Sequence, residues 1–244
     1  MPTDHLVLLM AAIGVVAFLY ASVGHAGASG YIAVMSLAAF APATIRPVAL
    51  VLNILVASLA TWQFWRAGHF SWRLFWPFAV LSVPFAFVGG SLKLPNHVFQ
   101  VLVGIVLLFS AYRFFTKQLS ESEVVAPKHA VAIVIGAGLG LLAGLTGTGG
   151  GIFLTPLLLF KKWAKTKPAA AVSALFILVN SISGLLGNFS STRFLPACTG
   201  YLAVAALVGG AAGSYLGSQR FPHTVIKKLL ACVLLVAGCK LILT

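Results

Sequence analysis

A chain of 244 residues with 60% hydrophobic and only 8% charged residues departs from soluble domains, which are about 45–50% apolar and about 25% charged. It reads as a single integral membrane domain over residues 1–244, with no stretch left for a soluble domain. The net charge of +13 sits between apolar runs, where membrane proteins carry cations for orientation, so the expected partner is the lipid bilayer and not nucleic acid.

The first apolar run, residues 5–23, has Asp4 and no Lys or Arg before it, and no small-residue cleavage site follows, so it is expected to be a retained helix. Further runs are predicted over 29–41, 47–65, 73–92 and 96–116. Trp62, Trp65, Trp72 and Trp76, around Arg66 and Arg73, read as an interfacial belt. After the charged linker "TKQLSESEVVAPKH" (Thr116 to His129) come runs at 129–145, 151–160, 168–187, 194–217 and 223–243. Cys198, Cys232 and Cys239 lie in apolar runs without C-x-x-C spacing and are expected to pack; no metal or cofactor is predicted.

The chain repeats itself. "RLFWPFAVLSVPFAFVGG" (Arg73 to Gly90) aligns without a gap on "RFLPACTGYLAVAALVGG" (Arg193 to Gly210) at an offset of 120 residues. "PNHVFQVLVGIVLLFSAYR" (Pro95 to Arg113) aligns on "PHTVIKKLLACVLLVAGCK" (Pro222 to Lys240) at 127, after a seven-residue insertion. Carried back at about 121, the register puts Gly30 on Gly151, so "GHAGASGY" (Gly24 to Tyr31) matches the loop in "GLTGTGGGIFLTPLL" (Gly144 to Leu158). The halves, 5–118 and 129–244, each hold five hydrophobic elements. In each half the second element is short and follows a glycine-rich loop. An all-α polytopic membrane fold of 8 to 10 segments is expected, because a crossing needs about 17–25 residues.

With ten crossings, twelve of the Lys and Arg residues fall on one side, and Arg46, Lys93, Arg193 and Lys240 on the other. The positive-inside rule favours that arrangement with both termini outside the cytoplasm. Five elements per half is an odd number, so the repeats are expected to be inverted.

Each glycine loop then dips into the membrane and starts a short helix whose N-terminus, with its unpaired N–H groups and positive dipole end, points toward the midplane. Two such ends converging form an anion site. The acids agree: Asp4, Glu121 and Glu123 lie outside the apolar runs, leaving no buried carboxylate for Na⁺, protons or a cationic substrate. A nucleotide loop is excluded, since no Gly-Lys-Ser/Thr follows and Ile152 stands where G-x-G-x-x-G needs glycine. Gly136, Gly140 and Gly144, like Gly209, Gly213 and Gly217, are spaced by four and read as helix-packing residues.

The candidate substrate-binding residues are His25, Gly27, Ser29, Gly30, Asn53, Thr148, Gly149, Gly150, Gly151 and Asn180. Asn53 and Asn180 either bond substrate or join helices. His25 either holds an anion when protonated, or carries a coupled proton, or rests neutral on the backbone. Ser29, Thr146 and Thr148 either donate hydroxyls or cap helices.

"GLTGTGGGIFLTPLLL", the helix "KPAAAVSALFILVNSISGLLG" and "VGGAAGSYLG" resemble the sulfite exporter TauE/SafE family of bacterial membrane proteins over nearly the whole chain. The resemblance implies a carrier of small sulfur-containing anions such as sulfite or sulfonates in the cytoplasmic membrane. Gly147, Gly149, Gly150, Gly151 and Pro156 carry its most specific part, while "GHAGASGY" departs from the family's commoner glycine triplet. The resulting expectation is a transporter, an exporter of sulfur oxyanions or organosulfonates, with a passive anion channel as the alternative. A membrane-embedded enzyme is disfavoured by the lack of buried acids. Homo-oligomerisation is left open.

Overall fold

The computed structural model describes residues 3–92, 108, 111–112, 124–188 and 195–243, and every regular element among them is helical. In chain order these are α1 (Thr3–Ser22), α2 (Ala28–Leu37), α3 (Pro42–Arg66), α4 (Trp72–Ser91), α5 (His129–Thr146), α6 (Gly151–Phe160), α7 (Thr166–Gly187), α8 (Thr199–Tyr215), a π-helical turn (Leu216–Arg220) and α9 (His223–Leu243). Among the described residues six segments, within α1, α3, α4, α5, α7 and α8 with its π turn, are long and apolar enough to cross a bilayer. The described residues thus hold helices as their only regular elements, and the chain is a multi-pass membrane protein. The predicted run at 96–116 lies outside the described residues apart from 108 and 111–112, and so do Arg113 and Arg193.

The predicted runs and the helices agree closely except at the start of α8, which opens at Thr199, five residues after the predicted run begins, and around the second element. There α2 stops at Leu37 and not near residue 41, because Ala39 turns the chain at φ 54 and Pro42 already opens α3 after extended Ala41. With ten residues each, α2 and α6 rise only about 15 Å, half the thickness of a hydrocarbon core of about 30 Å.

The most extensive packing pairs are α4 with α5 and α1 with α8, followed by α4 with α7, α3 with α7 and α3 with α8. The short helices lie against the long ones that follow them, α2 on α3 and α6 on α7. Lipid is as apolar as leucine, so helices in it associate through close van der Waals contact and not through hydrophobic drive. The spaced glycines supply that contact. A β-carbon on Gly136, Gly140 or Gly144 would overlap the carbonyl oxygen of Phe78, Ser82 or Ala86 on α4. One on Gly209, Gly213 or Gly217 would overlap that of Gly14, Phe18 or Ser22 on α1.

Two large apolar cores result, with a small third at Phe64, Ala170 and Ala171. One gathers Ile13, Tyr31, Met35, Leu52, Val56 and Leu202 from α1, α2, α3 and α8. The other gathers Phe78, Leu154, Leu158, Phe176 and Leu230 from α4, α6, α7 and α9. The exposed surface is apolar as lipid requires, with Val7, Val134, Val208 and Val236 facing outward. Trp62, Trp65, Trp72 and Trp76 are exposed, and the Arg66 guanidinium stands 5.4 Å over the Trp62 ring.

Candidate functional site at the two glycine loops

Between α1 and α2 the chain turns through Gly24 (φ 77) and Gly27 (φ 103), and between α5 and α6 through Gly147 (φ 71), Gly149 (φ 75) and Gly150 (φ 78). These left-handed conformations are open to glycine at little cost and strained for other residues. Gly27 and Gly150 are the N-caps of α2 and α6, so neither helix is capped by its own N-cap side chain. The sequence thereby places two short helices, each begun by a glycine N-cap with no side chain, in the interior of the bundle.

The loops meet where the two cores adjoin. A void of about 10 Å³, room for about one water molecule, is lined by His25, Gly27 and Ser29 from the first loop and Thr148, Ile152 and Ile177 from the second half. A larger groove, about 590 Å³, opens at the starts of α4, α5 and α7 beside Arg73, Lys128 and Lys165, and touches neither loop.

The polar side chains at the loops hold one another. The Tyr20 hydroxyl and Ser29 Oγ are 2.9 Å apart. His25 Nε2 lies 2.9 Å from Thr155 Oγ1, which donates in turn to Ser173 Oγ at 2.7 Å. With its proton so directed, Thr155 accepts from His25, which assigns the ring proton to Nε2. His25 Nδ1 is then a bare acceptor, buried and without a partner in a residue only 1% exposed.

Asn53, fully buried on α3, joins both loops. Its Oδ1 accepts the Ala28 amide proton at 3.0 Å, supplying the cap that Gly27 lacks. Its Nδ2 donates to the Thr148 carbonyl and to Ser181 Oγ, each at 3.3 Å. Asn180 lies apart from this cluster: its Nδ2 donates to the Phe176 carbonyl at 2.9 Å and its Oδ1 accepts from Ser82 Oγ, tying α7 to α4.

Of the ten predicted residues, His25, Gly27, Ser29 and Thr148 line the void, and Asn53 stands directly behind both loops. Gly30 faces Val16 and Tyr20 of α1. Gly149 and Gly151 lie against Ile177 of α7, and Gly150 lies between Ala143 and Phe176. These glycines set the shape of the loop by close packing. Thr146 Oγ1 donates to the Leu142 carbonyl at 2.7 Å and lies 2.8 Å from Thr148 Oγ1.

Tyr20, Thr155, Ser173 and Ser181 do not stand out in the sequence. A Ser or Thr hydroxyl inside a membrane helix can satisfy itself on the carbonyl one turn back, and a Tyr in an apolar run reads as core, so none of the four carries a site signal.

Residues 9–241 match the family described as Sulfite exporter TauE/SafE. The chain is 40% identical over 234 residues to the probable membrane transporter protein y4hK of Sinorhizobium fredii, covering 93% of this chain and 94% of that protein. It is 25% identical over 212 residues to the probable membrane transporter protein YjnA of Bacillus subtilis, covering 79% and 82%. No solved structure matches it. A match over nearly the whole length, on a chain of multiple membrane-spanning helices, makes this protein a multi-pass membrane transporter belonging to the sulfite exporter TauE/SafE family.

Proposed function

We propose that this transporter is a carrier of small oxyanions, most naturally sulfur oxyanions or organosulfonates, which it binds between the N-termini of α2 and α6 and exports. The observation that carries this reading is the convergence of two glycine-capped helix ends on one void beside His25, whose Nδ1 has no partner. Helix N-termini favour negative charge, and a protonated Nδ1 adds one further donor. No acid belongs to the loops to compete with an anion. The family description, Sulfite exporter TauE/SafE, supports sulfur oxyanions as the class.

The two halves form an inverted pair in this reading, with α2 and α6 each reaching the midplane from opposite faces. The packing supports it: exchanging each helix for its repeat mate turns the α1–α8 contact into α5–α4 and the α3–α8 contact into α7–α4, both of which are present. Binding at the repeat interface suits alternating access, in which one half rocks against the other. A membrane potential negative inside favours outward movement of an anion by about 2.3 kcal/mol per charge per 100 mV.

The test is flux in proteoliposomes holding the purified protein, with sulfite, sulfate, thiosulfate, a sulfonate and a carboxylate as substrates. A carrier accelerates exchange of labelled against unlabelled anion, whereas a channel does not. Selective transport of a cation would overturn the reading.

A further inference from the structure

Two cations occupy repeat-related positions beside the glycine loops. At the offset of 121 that places Gly30 on Gly151, Arg46-Pro47 in α3 falls on Lys167-Pro168 in α7. Arg46 is half-buried, and its Nη2 donates to the carbonyls of Gly89 at 3.3 Å and Gly90 at 3.4 Å, in the last turn of α4, and to that of Gly144 at the end of α5. Its aliphatic stem covers Gly147, where a β-carbon would come within 2.9 Å of the Arg46 Cγ. Its Nε is buried with no partner.

Lys167, also half-buried, mirrors it. Its Nζ donates at 3.1 Å to the carbonyl of Ser218, in the π turn that closes α8. One turn further along α7, the Ala170 carbonyl lies where a β-carbon on Gly24 would be. Each loop therefore has one cation at its shoulder, carried by α3 or α7 and resting on main-chain carbonyls at the C-terminal end of α4 or α8, which are themselves repeat mates.

Neither cation is paired with a carboxylate among the described residues. A carbonyl carries only a partial charge, so a guanidinium or ammonium held this way keeps most of its attraction for a full negative charge. An oxyanion brings a full negative charge as well as acceptor oxygens, so it competes with the carbonyls for the same cationic donors. We propose that Arg46 and Lys167 are the two access cations of the anion path, one for each face. Arg46 passes the anion to the loop at Thr146 to Gly150, and Lys167 passes it to the loop at Gly24 to Gly27. The assignment rests on the anion-carrier reading above and adds to it the residues that receive the substrate.

Sulfite exchange in proteoliposomes, with no membrane potential, tests the assignment on Arg46→Lys, Arg46→Gln, Lys167→Arg and Lys167→Gln. Glutamine retains an N–H donor for the carbonyls but no charge, so it separates anion attraction from helix tying. The glutamine variants should raise KM about tenfold or more, and the charge-keeping variants should stay within about threefold of the parent. Sidedness is read on Arg46→Cys and Lys167→Cys, made with Cys198, Cys232 and Cys239 replaced by serine. A membrane-impermeant cationic thiosulfonate should restore the two variants from opposite sides. Unchanged KM in both glutamine variants, or restoration of both cysteine variants from one side, overturns the assignment. A parent protein that exchanges no anion at all would instead overturn the carrier reading itself.

Discussion

The carboxamide oxygen of Asn53 accepts the amide proton of Ala28 at 3.0 Å, so a residue in the middle of α3 caps the short helix that precedes it. The same carboxamide holds the second loop through Thr148, which makes Asn53 a direct link between the two glycine turns.

Asn53→Ala removes three hydrogen bonds at once and leaves the Ala28 N–H without its acceptor. Melting in detergent should show a loss of about 1–3 kcal/mol, together with a steep fall in flux. Asn53→Asp keeps the acceptor for Ala28 but places a negative charge between the two positive helix ends. It should abolish anion transport in the same flux assay even where the folded protein is recovered.

His25→Gln retains a donor for Thr155 while removing the group that can be protonated at Nδ1. In the parent, KM for a sulfonate, which does not itself titrate over about pH 5–8, should fall as the pH falls, because the anion and the Nδ1 proton favour each other. The variant should show a raised KM that no longer varies with pH. A parent KM independent of pH would remove His25 from anion binding.

The glycines of α5 can be compared on one helix. Gly138 faces outward, with nothing within 4 Å of where a β-carbon would stand, whereas a β-carbon on Gly140 would overlap the Ser82 carbonyl. Gly138→Ala should leave the melting temperature unchanged or raise it slightly. Gly140→Ala should cost about 1–3 kcal/mol by forcing α4 and α5 apart.

His69 lies between α3 and α4, and its Nε2 donates to the Ser218 carbonyl at 3.1 Å. Partial burial holds its imidazole below the usual histidine value; the Ser218 bond opposes that shift, and Lys167 and His223 add to it. The folded protein thus resists a proton that the unfolded chain accepts near the ordinary value of 6.5, so stability falls as the pH drops through that value. Melting temperatures between about pH 8 and 5 should decline less in His69→Gln than in the parent.

Much of this arrangement is legible in the sequence, for physical reasons that differ from residue to residue. The loops stand out because clustered glycines such as Gly147 and Gly149 to Gly151 fit no helix-packing period, and Gly136, Gly140 and Gly144 stand out because they do. Thr148 lies in the second glycine loop itself, His25 and Ser29 follow from the register of the repeat, and Asn53 from its depth in α3. The end of α2 is hidden because apolar residues 38–41 continue the hydrophobic run through a turn. Arg46 and Lys167 are visible only as markers of sidedness. The repeat offset already superposes them, but their carbonyl partners come from α4, α5 and the π turn, which only the folded bundle brings near.

The void between the helix ends has a mechanical corollary. At about 10 Å³ it is smaller than any polyatomic oxyanion, so the loops must part to admit one, and the space they open is new volume created against the surroundings. For the proposed carrier, loading the site then has a positive activation volume. Hydrostatic pressure should slow the cycle, in proportion to how far the two halves separate.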